Sequence, residues 1–334
     1  MELDLYPLKF IPIYREHPWQ GTLLTEFMPR DLTPPGGTPK GTAYTPGESI
    51  ELVDSKDFQS VVANGSMAGK TLHELVEAHP QRLVGNKHRK QQRFPLFVHY
   101  LATSRRLPVW VHPDEVTSER LGVPPNSKMW YLVSCRPDTS AMVGIKPRLT
   151  QQQFLSNMHS PELIDILQTF PSEPGDAYYI SSGRVHALEP GNLVLSVEQA
   201  ATPPLTITNW DPANQPTKEE CQKAVDAVHF QDRSIARIRC ESSSVTRNRK
   251  LPIINLCPAF TVDELRLSTP MHERTDGSSF HFVTTINGRV EIKVGKHAEV
   301  LERGDSCLVP AKPGYYAITP EDPLTKVVKA AIRA

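Results

Sequence analysis

Two histidines stand in local patterns that could serve chemistry. His112 ends the apolar run LPVWVHP, and Pro113 follows at once. Proline cannot donate to a strand ladder, so the strand stops there and the imidazole is expected near a rim, within reach of a ligand as well as of the core. In such a strand Val109 and Val111 share one face and Trp110 and His112 the other, and a barrel interior would receive the second pair. His186 lies in PSEPGDAYYISSGRVHALEPGNLVLSV. There Pro174 to Asp176 read as a turn, Ala177 to Ile180 as a short strand, Ser182 and Gly183 as a second turn, and Arg184 to Leu188 as another strand. Turn, strand, glycine, two residues, histidine, small residue and further strand is a pattern by which double-stranded barrels place a histidine in their mouth. A single histidine is more often a hydrogen-bonded core group than a ligand. A second one, placed in a barrel mouth by its own local pattern, shifts those odds toward a ligand-binding site.

The elements that must carry these residues follow from periodicity. FPLFVHYLA, LPVWVHP and MWYLVSC read as strands, the last apolar enough to be buried on both faces. NGSMAGKTLHELVEAHP predicts a turn and then a helix, N-capped by Thr71 with Glu74 three residues on, and ending at Pro80. In TQQQFLSNMHSPELIDILQTF, residues Phe154, Leu155, Met158, Leu163, Ile166 and Leu167 fall at helical spacing and predict two helices broken near Ser160. TKEECQKAVDAVHF predicts an amphipathic helix, and the polar stretch from Glu241 to Lys250 a linker or exposed loop. The stretch from Pro34 to Gly47 is too rich in turn residues for a regular element. Residues 287 to 320 repeat the layout around His186, with turns at Asn287–Gly288 and Gly304–Asp305, but Tyr315 and Tyr316 stand where the histidine would be. The expectation is a mainly β chain of two related barrels with a few helices: residues 1–235, holding the candidate site, and residues 236–334, structural.

Composition excludes other classes. Lys plus Arg and Asp plus Glu number 37 each, so no global field attracts nucleic acid. No apolar run would span a bilayer, and MELDLYPLKF lacks a secretory pattern, so a cytoplasmic protein without membrane partners is expected. The five cysteines are widely spaced with no Cys-x-x-Cys pair, which reads as reduced thiols. The 31 prolines and 18 glycines fall at short intervals, as between many short strands.

At YPLKFIPIYREHPWQG, VVANGSMAGKTLHELVE, RFPLFVHYL, VWVHPDE, MWYLV, EPGDAYYISSGRVHAL, LVLSVEQ and RGDSCLVPA the chain resembles the type I mannose-6-phosphate isomerases of the cupin superfamily, in their short bacterial form. The similarity runs nearly end to end. It implies two cupin barrels plus helices, a small-molecule sugar phosphate as partner, and interconversion of mannose 6-phosphate and fructose 6-phosphate with one divalent metal, usually zinc. It also implies that His112 and His186 are metal ligands. Oligomeric state is left open.

The chain departs from the family at named positions. The family's acidic metal ligand falls on Lys128, its neighbouring lysine on Asn126, a glutamine ligand of larger members on Trp110, and its catalytic arginine on Thr206; Ser196 stands for a further glutamate. A catalytic zinc site needs about three protein ligands with an open position, and an ammonium at Lys128 adds repulsion where a carboxylate would add attraction. No residue is therefore assigned a catalytic role. If no bulge intervenes, residues 196 to 206 share strand parity, so Glu198 faces the barrel mouth with Thr206 and is the substitute carboxylate; His99 is a further candidate. Three readings follow. One is a metal-dependent isomerase on His112, His186 and Glu198. Another is a family member without isomerase activity, a pseudoenzyme that binds a sugar phosphate or serves a regulatory or structural role. In a third, needing no metal, Lys128 pairs with Glu198 in the metal's place or itself holds a phosphate or carboxylate of the substrate.

Overall fold

A computed structural model describes residues 6–33, 44–86, 92–160, 162–199, 202–239, 247–312 and 314–333. Within them the chain is mainly antiparallel β. A seven-stranded sheet runs in the order Ile13–Arg15, Glu48–Leu52, Phe97–Ala102, Asn192–Glu198, Lys128–Cys135, Asp176–Ile180 and Arg237–Arg239. Facing it is a five-stranded sheet of Leu205–Thr208, Val109–Val111, His186–Leu188, Ser140–Ile145 and Leu167–Pro171. Together they make the first of two cupin-like barrels. The second repeats the plan with five strands over four, from Arg249–Ile254 to Thr325–Ile332.

Strand alternation sorts the side chains into separate cores. On Lys128–Cys135, Trp130 and Leu132 point into the first barrel with Leu101, Val143, Tyr178 and Val194. Met129 and Tyr131 point the other way, into a core shared with Phe260, Phe282 and Val328 of the second barrel. The run MWYLV is therefore apolar on both faces because each face meets a core, as its composition predicts. Tyr131 donates a 2.5 Å hydrogen bond across that junction to buried Glu264. Val109 and Val111 face helices on the outside of the first barrel while Trp110 packs inside, also as predicted.

Local signals perform well where chemistry dictates geometry. Thr71 and Glu74 form a reciprocal capping box on the helix Leu72–Ala78. Because both bonds satisfy otherwise orphaned backbone donors, Thr71→Ala is expected to cost about 1 kcal/mol in urea unfolding. Helices Gln151–Asn157 and Leu163–Ile166 break near Ser160 as expected. The helix Leu72–Ala78 ends before Pro80 as expected, and that proline opens a second short helix, Pro80–Leu83, since proline suits a first helical position. Two expectations fail. Leu167 begins the strand Leu167–Pro171 instead of closing a helix, its helical spacing overridden by pairing with Ile145. The predicted linker ends inside a strand, Arg249–Ile254; its residues 241–246, like residues 34–43 of the turn-rich stretch, lie outside the described residues. No helix among the described residues is long and apolar enough to cross a membrane.

Candidate functional site in the first barrel

The site is built by register. Glu198 and Lys128 are direct partners across neighbouring antiparallel strands, and His99, opposite Ser196, is diagonal to Glu198. Adjacent strands bring opposite pairs to within side-chain contact. Lys128 Nζ lies 3.1 Å from Glu198 Oε1 with both side chains buried. The same oxygen accepts from Ser196 Oγ at 2.9 Å and meets His99 Nε2 at 3.0 Å. Asn126 Nδ2 donates to Oε2 at 2.8 Å. Both oxygens of Glu198 are thus committed to protein partners.

The network extends beyond these residues. His99 Nδ1 stands 2.6 Å from Glu48 Oε1, an ion-pair contact off the axis of an aligned hydrogen bond, and Glu48 Oε2 meets His17 Nε2 at 2.9 Å. Burial opposes charge on His99, but Glu198 and Glu48 outweigh it and raise its pKa to about 9. Burial likewise pushes Glu48 up, and His17 and His99 overcome it, bringing its carboxyl down to about 2. The carboxyl of Glu198, despite burial, is held well below the usual carboxylate range by the Lys128 ammonium first and His99 next.

His112 and His186 lie side by side, ring centroids 5.9 Å apart and nearly parallel. His186 Nδ1 bonds the Arg184 carbonyl at 3.0 Å, which leaves Nε2 as the lone-pair nitrogen. That atom and both nitrogens of His112 are buried without a hydrogen-bond partner. Burial, then the Lys128 charge, hold His112 well below and His186 down at about 3, so both rings are neutral near pH 7. The tight corner before His186 exists as expected: Gly183 has φ +82°, a region open to glycine at little cost, and its amide donates to the His112 carbonyl at 2.7 Å.

A cavity of about 440 Å³ opens onto this arrangement. Its wall carries Lys128, Glu198, His99 and Glu48, the rings of Trp19, Trp110 and Trp130, and Arg15 at the edge. The two histidines are not part of that wall. His112 is 2% exposed and His186 0%, and Trp110 and Trp130 pack edge-on against His186. The expected rim position of His112 therefore gives way to a place beneath the cavity floor. Thr206 does not share a strand with Glu198: the strand ends at Glu198, and Thr206 belongs to the opposite sheet, facing Trp110, so the assumed unbroken parity fails. In the second barrel Tyr316 is buried and hydrogen-bonded to His281, while Tyr315 is 71% exposed.

Sequence reasoning did not single out Glu48, His17, Trp19, Trp130 or Arg15. Glu48 opens the strand Glu48–Leu52 between Gly47 and Ser49, and no local pattern marks it.

A search of curated proteins finds mannose-6-phosphate isomerase ManA of Bacillus subtilis, 25% identical over 312 residues, covering 91% of this chain and 93% of that protein. The chain is a relative of the type I mannose-6-phosphate isomerases. No family model matches it. Among solved structures, the mannose 6-phosphate isomerase from Bacillus subtilis superposes with a TM-score of 0.77 at 22% identity, covering 97% of this chain and 99% of that one. A mannose 6-phosphate isomerase bound with zinc and yttrium superposes with a TM-score of 0.74 at 12% identity, covering 98% and 100%. At these identities the structural likeness establishes the fold shared with the mannose-6-phosphate isomerases.

The family implies a divalent ion, and the residues of this chain do not fit one. Among the described residues no group of three or more His, Cys, Asp or Glu side chains is disposed to hold a metal. His112 and His186 offer neutral nitrogens, but Glu198 is saturated by four protein partners, and one of these, Lys128, is a cation whose charge opposes a divalent ion.

Proposed function

We propose that this chain binds a phosphorylated hexose in the cavity of its first barrel and lacks the metal-dependent isomerase chemistry of its relatives. The ion pair between Lys128 and Glu198 carries this reading: it commits both charged groups at the cavity floor to each other. The cavity supports a sugar ligand. The part-buried indoles of Trp19 and Trp110 offer apolar surface to the C–H face of a pyranose, and Trp19 Nε1, Trp130 Nε1 and Thr202 Oγ1 are polar atoms without protein partners in or behind its wall. Arg15 supports a phosphate. Its guanidinium lies 3.8 Å over the Phe58 ring and makes no ion pair among the described residues, so it can meet an anion without breaking an existing bridge.

A second reading, retained aldose–ketose isomerisation, is favoured by the relatives and by the unpartnered nitrogens of His112 and His186. The two are separated by one pair of measurements. Three of the chain's four tryptophans line the cavity, so intrinsic fluorescence reports its occupancy. Mannose 6-phosphate is expected to change that fluorescence saturably, with about tenfold weaker binding in Arg15→Ala, the loss of one charge-assisted contact. No conversion to fructose 6-phosphate is expected with zinc, cobalt or manganese supplied. Saturable conversion abolished by His112→Ala would overturn the proposal in favour of the isomerase.

A further inference from the structure

We infer that the Lys128 ammonium is the fixed cation of the first barrel, built into the chain at the place where a divalent ion held by His112 and His186 would sit. The inference rests on the metal-free reading above and adds what replaces the metal. Three observations locate it. Lys128 touches Glu198 on one side at 3.1 Å. It reaches the cavity wall on another. Its strand turns Trp130, two residues on, to the same face, where that ring packs on His186 with centroids 5.3 Å apart; His112 stacks on His186 at 5.9 Å, and both imidazoles keep nitrogens without a protein partner. Ligand, carboxylate and two imidazoles therefore meet at one ammonium, which is also the meeting point an imidazole-bound ion open to a ligand would occupy.

The replacement conserves charge. A divalent ion with one carboxylate ligand carries a single net positive charge, and so does one lysine side chain. The surrounding field, including the ionised Glu198, can then stay the same without a metal. An ammonium offers three N–H donors, of which Glu198 takes one among the described residues. The remainder can donate to a hydroxyl or carbonyl oxygen of a ligand, the oxygen type a metal would polarise. Unlike a metal, the lysine supplies no open coordination position and holds its charge on a point donor. It can orient an oxygen, and it cannot coordinate adjacent oxygens together.

The assignment makes a reversal possible: a carboxylate at position 128 should complete a three-donor set with His112 and His186. The test is zinc content by elemental analysis after dialysis against zinc, on tag-free protein. The native chain is expected to hold no stoichiometric zinc. Lys128→Glu is expected to hold about one per chain, lost again when His186→Ala is added. Because Lys128→Glu brings two carboxylates together, Lys128→Glu with Glu198→Gln is measured beside it to remove the repulsion, and Lys128→Met serves as the neutral control, expected to stay zinc-free. About one zinc in the native chain, removed by His186→Ala, would overturn the inference, as would a folded Lys128→Glu pair of variants without zinc. These outcomes are independent of the sugar titration. A variant that gains zinc in a chain with no affinity for mannose 6-phosphate leaves the cation assigned and the ligand wrong.

Discussion

Lys128→Met is expected to destabilise the chain by about 3 kcal/mol, because it strands the buried Glu198 carboxylate without its strongest counter-charge. The loss falls at the lower end for a broken buried pair, since His99, Ser196 and Asn126 still bond that carboxylate. Lys128→Met combined with Glu198→Gln should recover most of it, to within about 1 kcal/mol of the native chain, because replacing both members removes the desolvated charge altogether. Urea unfolding of the two singles and the double closes the cycle. A purely additive result would mean that the two groups do not pair. In that event neither the ion pair nor the argument against a metal would stand.

The other large effect belongs to Trp130. Its ring is 1% exposed, contacts His186 edge-on with centroids 5.3 Å apart, and belongs to both the barrel core and the cavity floor. Trp130→Ala is expected to cost about 4 kcal/mol, from lost burial and from a void that neighbouring strands cannot close. It should also open His112 and His186 to the cavity. Trp130→Phe keeps most of the volume and should cost about half as much or less. The two effects separate by readout: stability in urea reports the core, and His186 modification by an acylating reagent reports the floor. A Trp130→Ala chain of native stability would show that the residue does not carry the packing its burial indicates.

The fold was largely legible because strand and helix periods are local. The alternation of Val109, Trp110 and Val111, the Thr71–Glu74 box and the glycine before His186 each fix their geometry within a few residues. The site was legible in part. The pairing of Lys128 with Glu198 was one of the readings the sequence allowed, although the unbroken parity from Ser196 to Thr206 assumed for Glu198 does not hold. Which reading held was set by register, since sliding either strand by one residue would turn its side chain to the other face. For the same reason the role of His99 was open, and the chain from Glu198 through His99 to Glu48 and His17 joins residues from four segments that no local pattern links. The depth of His112 was misjudged because Pro113 marks the end of a strand and says nothing of what Trp110 and Trp130 lay over it.

The chain shares the fold of the mannose-6-phosphate isomerases, and its first barrel is proposed to bind a sugar phosphate without a metal. A calorimetric titration of mannose 6-phosphate into the native chain with a metal chelator present tests this most directly. The account predicts saturable binding with about one site per chain, unchanged when zinc replaces the chelator and weakened in Arg15→Ala. Binding that appears only when zinc is supplied would contradict it.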